Sequence, residues 1–120
     1  MKTLYFSGLA VLSLSKAVDD AAPHAQFVAR ACEQWQLTYD DVQYFFAHAT
    51  PASSEEIRLA YDVLPCKFAG TLSRDGRTYL FEINAGSFGT LQGTSATDAS
   101  YYGCKDRCAR LFPFHLYGDD

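Results

Sequence analysis

The sequence of 120 residues predicts an α+β protein, with N-terminal helices packed on a small antiparallel β-sheet and held by disulfide bonds. Three observations lead to this class. Between about residues 24 and 62, apolar side chains recur with the spacing of helical faces. From Cys66 onward they alternate with polar ones, as in half-buried strands. Four cysteines in so short a chain fit a disulfide framework.

The N-terminus has the pattern of a secretory signal peptide. Lys2 is followed by an uncharged, mostly apolar stretch from Thr3 to Ser15, and small residues precede a cleavage site after Ala17. The stretch is too short to span a bilayer. We therefore expect residues 1–17 to be a signal peptide, residues 18–120 to be a single domain, and the protein to be periplasmic or secreted. The alternative is a buried helix at the start of a cytoplasmic domain.

Two or three helices are expected between about residues 24 and 62, followed by an antiparallel sheet of three to five strands. The first begins near His24 and has the apolar face Val28, Ala31, Cys32 and Trp35. The second is capped by Thr38, with Asp40 and Asp41 in its first turn and the apolar stripe Val42, Phe45, Phe46 and Ala49. The third is capped by Ser53 or Ser54, and its inward positions are Ile57, Ala60 and Tyr61.

A β-hairpin is predicted around Asp75-Gly76, because a type I′ turn needs positive φ at both central residues. A turn there opposes apolar residues across the two strands, in the pairs Leu72/Tyr79, Gly70/Phe81 and Phe68/Ile83. The turn and the apolar pattern thus agree on one register. The residues expected to be buried together are Val42, Phe45, Phe46, Phe68, Leu72, Phe81 and Ile83.

The stretch "YLFEINAGSFGT", residues 79–90, resembles a glycine-rich ligand loop but is predicted to be a bend. A phosphate cradle needs a following helix, and the residues after Gly89 have no helical stripe. Asn84 and Gly86 tolerate the turn, and Gly89 suggests a bulge in a third strand. A polar loop, Gly93–Ser100, then leads to a return strand at Tyr101-Tyr102. The alternation of Phe112, Phe114 and Leu116 around Pro113 predicts a final edge strand.

The cysteines are expected to form two disulfides. Cys32–Cys66 with Cys104–Cys108 is favoured over the two crossed pairings, because short loops close more easily. A zinc site formed by Cys66, Cys104, Cys108 and His115 is the competing interpretation, but the spacings are not those of zinc motifs.

Composition and motifs restrict the function classes. The formal net charge is −4, acids occur in pairs and no basic stripe is present, so nucleic-acid binding is not expected. No serine, cysteine or cofactor motif occurs, so we expect no catalytic residues, no metal and no cofactor. The candidate binding residues are Asp41, Tyr44 and His48 on the second helix, Arg74, Asp75 and Arg77 at the hairpin tip, and the Gly93–Ser100 loop.

The motifs "CEQWQL", "DVQYFF", "LPCKFAGTL", "DGRTYLFEINAG" and "YGC" resemble those of a group of small, mostly uncharacterised exported bacterial proteins. The resemblance covers Cys32 to about Leu111 and brings no catalytic residue with it. By analogy of size and location, it implies a binder such as an immunity protein or an inhibitor of a wall-degrading enzyme.

We therefore expect a non-enzymatic periplasmic protein-binding module, whose partner is another protein and which does not insert into membranes. The alternative is a small exported hydrolase in which His48 or His115 pairs with a carboxylate.

Overall fold

The computed structural model describes residues 8–19, 26–94 and 98–112. Within these ranges lie six strands, three α-helices and one 3₁₀ helix. In chain order they are β1 Leu9–Val18, α1 Gln26–Gln34, α2 Tyr39–His48, β2 Thr50–Ala52, α3 Ser54–Ala60, β3 Cys66–Arg74, β4 Arg77–Asn84, β5 Phe88–Gly93, β6 Ser100–Gly103 and the 3₁₀ helix Asp106–Leu111.

The six strands form one antiparallel sheet in the order β1-β3-β4-β5-β6-β2. This is more than the three to five strands expected, because β1 and the short β2 add an edge on each side. One face of this sheet carries the buried strand residues and packs against α1, α2 and the 3₁₀ helix. The other face carries more exposed side chains, including Leu80 and an ion pair between Lys67 and Glu82 at 3.0 Å. An antiparallel sheet commonly leaves one face in water in this way. The predicted α+β class is confirmed.

The order of elements differs from the expectation, because a strand precedes the helices. Leu9–Val18 pairs with β3 along its whole length, with a register shift between Val11 and Ser13. Val11 is buried in the core, and Leu9 and Leu14 pack against it. The cleavage expected after Ala17 stays a prediction, and it would remove nearly all of this strand.

The hairpin prediction is confirmed in detail. Asp75 and Gly76 have φ values of 53° and 82°, as a type I′ turn requires. β3 and β4 pair in the expected register, with Phe68 opposite Ile83, Gly70 opposite Phe81 and Leu72 opposite Tyr79. All seven residues expected to be buried together belong to one core cluster. The turn chemistry and the apolar pattern therefore sufficed to fix this part of the sheet.

The helix caps follow the sequence. Thr38 caps α2, and its hydroxyl and the Asp41 carboxylate form a reciprocal capping box. Ser53 caps α3 in the same way with Glu56. The inward face expected for α3 was partly wrong, since Ile57 is buried but Ala60 is exposed. This helix has only seven residues and packs mainly against β6, so it buries a narrow stripe.

The stretch of residues 79–90 is a strand, a bend and the next strand. The positive φ of 76° falls on Ser87 rather than on Asn84 or Gly86. Gly86 is needed for a different reason, because a Cβ there would overlap the carbonyl oxygen of Asp62. Gly89 is not a bulge, since β4 and β5 pair without a register shift. A Cβ at this position would overlap the carbonyl oxygen of Glu82 and crowd the Phe45 ring.

Asn84 holds this bend to the chain before β3. Its Oδ1 accepts hydrogen bonds from the backbone N–H of Leu64 at 2.9 Å and of Gly86 at 2.9 Å. Its Nδ2 donates to the carbonyl of Leu64 at 3.0 Å. The side chain therefore acts as a substitute for a short stretch of strand backbone. The glycine-rich stretch is explained by this packing, without a ligand.

We expect Asn84→Ala to lower the free energy of unfolding by about 2–4 kcal/mol, because it leaves several partly buried backbone groups without partners. Urea unfolding monitored by circular dichroism measures the change. Gln36→Ala, at an exposed position, is the matched control and should change stability by less than about 0.5 kcal/mol. A loss equal to that of the control would contradict the structural role of Asn84.

The 3₁₀ helix was not predicted, and it ends where a final strand was expected. Leu111 closes it, and Phe112 is buried. The Trp35 indole N–H donates to the carbonyl of Leu111 at 2.8 Å, and the rings of Trp35 and Phe112 lie 5.9 Å apart. Residues 113–120, which include Phe114, His115 and Leu116, lie outside the described residues.

The favoured disulfide pairing is confirmed. Cys32–Cys66 joins the end of α1 to the start of β3, and its Cα atoms lie 5.8 Å apart. Cys104–Cys108 closes a short turn from the end of β6 into the 3₁₀ helix, with a Cα separation of 5.6 Å. All four cysteines are thus bonded, so none is available as a zinc ligand or as a thiol nucleophile.

Candidate functional site

The outward face of α2 forms the most structured surface cluster. Tyr44 and His48 lie one turn apart on this face, and their rings stack with centroids 4.0 Å apart. The Arg110 guanidinium, from the 3₁₀ helix, lies 4.4 Å from the Tyr44 ring centroid. We call the set Asp41, Tyr44, His48, Arg107 and Arg110 the Tyr44 surface.

A hydrogen bond restrains each of the two aromatic rings. The Tyr44 hydroxyl donates to the carbonyl of Arg107 at 3.1 Å, which ties α2 to the 3₁₀ helix. His48 Nδ1 lies 2.9 Å from the carbonyl of Tyr44. A carbonyl only accepts, so Nδ1 carries the proton in this contact, and in the neutral ring Nε2 is the acceptor. The aromatic rings are therefore held in place before any partner arrives.

Asp41 and Arg110 provide the charges at one end of this surface. One Asp41 carboxylate oxygen accepts from the Thr38 backbone N–H at 2.9 Å, and the other lies 4.0 Å from the Arg110 guanidinium. The pair is exposed on the Arg110 side, so it contributes little to stability. The Asp41 carboxylate is thus engaged in the helix cap and does not pair with His48.

The Cys104–Cys108 disulfide shapes the other half of the surface. It closes the turn that presents Arg107 and Arg110, both of which are exposed, while Cys108 is fully buried. Because the short loop is covalently closed, the backbone at Arg107 keeps little of the conformational freedom that an open turn would give it, and Arg110 follows in the same 3₁₀ helix.

A second cation lies over a tyrosine at the start of the same turn. Lys105 Nζ is 4.6 Å from the centroid of the Tyr61 ring. The Tyr61 hydroxyl is close enough to Gly103 that any side chain at that position would overlap it. Burial, and to a smaller extent the carboxylate of Glu56, raises the pKa of Tyr61 above its ordinary value of 10.0.

The raised pKa of Tyr61 predicts a loss of stability in alkali. A group whose pKa is higher in the folded state contributes stability below its unfolded pKa, and loses it as the pH rises through the folded value. The free energy of unfolding should therefore fall above about pH 10, and Tyr61→Phe should reduce that fall. Urea titrations at several alkaline pH values measure it, with the exposed Tyr39→Phe as control. Equal slopes in the two variants would contradict the expectation.

The hairpin tip and the loop after β5 come together at one end of the sheet. A cleft of about 540 Å³ is lined by Arg77, Thr78 and Tyr79 from β4 and by described residues of the loop, among them Thr94 and Asp98. Two of the three predicted contact regions, the hairpin and the loop after β5, are therefore neighbours. At the hairpin tip itself, Asp75 donates its backbone N–H to the carbonyl of Gly8 at 3.4 Å.

The residues of the Tyr44 surface do not line that cleft, so the predicted candidates fall into two groups. Arg107 and Arg110 were not among them. The signal available in the sequence was the cluster of Lys105, Arg107 and Arg110 around two closely spaced cysteines. Only the fold shows that this cluster packs beside Tyr44, which lies 63 residues earlier than Arg107.

Within residues 8–19, 26–94 and 98–112, no group of three or more His, Cys, Asp or Glu side chains is placed to hold a metal ion. None of the helices described is long and apolar enough to cross a membrane. His24 and His115 lie outside the described residues, so a pairing between His115 and a carboxylate has no geometry to report.

Comparison with protein-family models, curated proteins and solved structures finds no match to this chain. The resemblance to small exported bacterial proteins therefore stays a prediction.

Proposed function

We propose that the protein is a non-enzymatic binding module of the periplasm or the extracellular space, of the immunity-protein or inhibitor kind. It binds another protein through the Tyr44 surface. The observation that carries the proposal is the ordered stack, in which Tyr44 lies against His48 at 4.0 Å and against the Arg110 guanidinium at 4.4 Å.

The residue types favour protein recognition. Tyrosine and arginine are enriched among the residues that dominate interface energies. Two half-buried aromatic rings with two exposed arginines beside them offer aromatic contacts and directed charges together. The partner's matching surface is expected to carry carboxylates around an apolar or aromatic centre, because Arg107 and Arg110 are exposed in a chain that is acidic overall.

The rigidity of the surface also supports binding. The hydrogen bond between Tyr44 and the Arg107 carbonyl and the Cys104–Cys108 disulfide both restrain it. Ordering flexible side chains and loops costs free energy on association, so a surface that is already ordered binds more tightly. Disulfides form and persist in oxidising compartments, which fits a periplasmic or secreted module.

Charge reversal tests the proposal. We expect Arg107→Glu/Arg110→Glu to weaken partner binding at least tenfold, about 1.4 kcal/mol, because the new carboxylates repel an acidic partner surface. The immobilised wild-type chain and the variant are compared for capture of partners from periplasmic extract and culture medium. The matched control is Arg30→Glu/Arg58→Glu, which makes the same charge change at two exposed helical positions away from the Tyr44 surface.

Loss of capture in the Arg107/Arg110 variant alone, with unchanged melting temperature, is the expected result. The proposal would be contradicted if the wild type and both variants captured the same protein equally. It would also be contradicted if the wild type captured no protein that the Arg107/Arg110 variant fails to capture.

The substitution His48→Ala distinguishes a hydrolase from a binding module. A hydrolase that uses His48 would lose turnover of wall or ester substrates while staying folded. A binding module has no such turnover to lose, and its fold should be unchanged. Measurable hydrolysis by the purified protein that disappears in this variant would favour the hydrolase.

A further inference from the structure

The N-terminal apolar segment, which has the sequence pattern of a leader, is part of the β-sheet in the structure. In the structure it is β1, the edge strand that pairs with β3 from Leu9 to Val18. Processing after Ala17 would detach it from the domain. The contacts of β1 with the rest of the domain indicate whether this segment is a removable leader or a permanent edge strand.

Lys16 makes the most specific of these contacts. Its ammonium donates to the carbonyls of Cys32 at 2.9 Å, Glu33 at 3.0 Å and Trp35 at 2.7 Å. These carbonyls lie at the C-terminal end of α1, where backbone acceptors lack partners within the helix and the helix dipole is negative. An ammonium has three donors, and all three are used. Without β1, this helix end would lose its cap.

β3 is shaped to receive β1. A Cβ at position 70 would overlap the carbonyl oxygen of Ser13, so glycine is required where the two backbones approach. Beside it, the Ser13 hydroxyl lies 2.9 Å from the Thr71 hydroxyl and accepts the Thr71 backbone N–H at 3.0 Å. If β1 were removed, Ser13 would no longer exclude a side chain at position 70.

The core and α2 also depend on β1. Val11 is 8% exposed and belongs to the main core cluster. Its backbone N–H donates to the Gln43 side chain at 3.5 Å, which brings α2 against the outer edge of the strand. Removal of the strand would therefore expose the side of the core that it covers and release one contact of the helix that carries Tyr44.

We propose that residues 9–18 remain in the mature domain as its edge strand, and that the bond after Ala17 is not a processing site. Any signal that brings the domain to an oxidising compartment then acts without removing β1. The inference is independent of the partner, so a failure to find a binding partner does not bear on it.

Cross-linking tests the position of the strand in the purified full chain. Under mild oxidation, Ser13→Cys/Thr71→Cys should form a third disulfide, since these residues are paired across β1 and β3. Ala17→Cys/Thr71→Cys is the control, because Ala17 pairs with Lys67, four residues further along the strand. Peptide mass spectrometry without reduction should find the new bridge only in the first variant. Its absence there, or equal yield in both, would overturn the proposal.

Processing is tested on the native sequence expressed in a bacterial host. Intact mass and N-terminal sequencing of the disulfide-bonded protein should give a chain that begins at or before Leu9. A chain that begins anywhere between Ala10 and Asp19 would overturn the proposal, even if it were folded and bound a partner.

Discussion

Replacing Cys32 and Cys66 together with alanine should lower the free energy of unfolding by about 4 kcal/mol. The bridge spans 34 residues, and the loop-entropy model gives roughly this value for such a loop. Both cysteines are buried, so alanine avoids placing a hydroxyl in the core. The loss should therefore reflect mainly the greater freedom of the unfolded chain, with a small cavity term added. Denaturant unfolding under non-reducing conditions measures it.

The second disulfide is the matched control for the first. Cys104–Cys108 spans only 4 residues, and the same model gives about 2 kcal/mol for its removal. We therefore expect Cys104→Ala/Cys108→Ala to cost about half as much stability. Its larger effect should be on partner binding, because this bridge shapes the turn that presents Arg107 and Arg110. An equal or greater loss of stability from the short bridge would contradict this division of roles.

Phe45→Ala should lower the free energy of unfolding by about 3–5 kcal/mol, the range for a buried phenylalanine. Its side chain is fully buried, and its ring lies 5.0 Å from that of Phe46 and 6.0 Å from that of Phe112. Gly89 leaves the space that the ring fills against the sheet. The substitution would thus open a cavity where α2 meets β5 and the segment after the 3₁₀ helix.

Phe27→Ala is the control for this change, since Phe27 is 70% exposed on α1. It should alter stability by less than about 0.5 kcal/mol. A similar loss from both variants would mean that α2 is not packed on the sheet as described.

The central hairpin could be predicted because its signals are local and agree with each other. Asp75-Gly76 specifies the turn, and a slip of one residue would turn Phe68 and Ile83 away from the core. The caps at Thr38 and Ser53 were predictable for the same reason, because a cap depends on residues within one helical turn.

β1 could not be predicted because its apolar pattern is interrupted. The register shift between Val11 and Ser13 moves the inward positions from Leu9 and Val11 to Leu14 and Lys16, so the period of two is lost in the sequence. The remaining pattern, one lysine before an uncharged apolar stretch, is also that of a leader. The use of Lys16 as a cap for α1 depends on tertiary structure and leaves no mark in the sequence.

Three of the five residues of the Tyr44 surface could be predicted from the sequence. The spacing of Asp41, Tyr44 and His48 on one helical face indicated a shared surface. That Arg107 and Arg110 complete it depends on how the disulfide-closed turn packs on α2, which is a contact between distant parts of the chain. The bend after β4 was predicted to be structural rather than a ligand loop, and its glycines serve packing.

Site-specific photo-crosslinking can show directly whether a protein partner binds the Tyr44 surface. A photoreactive amino acid is placed at position 107 in one variant and at position 80, on the open face of the sheet, in another. Leu80 is 47% exposed, so both probes reach solvent. After irradiation in producing cells, we expect a discrete adduct with another protein from position 107 and none from position 80. An adduct from position 80 alone, or none from position 107, would contradict it.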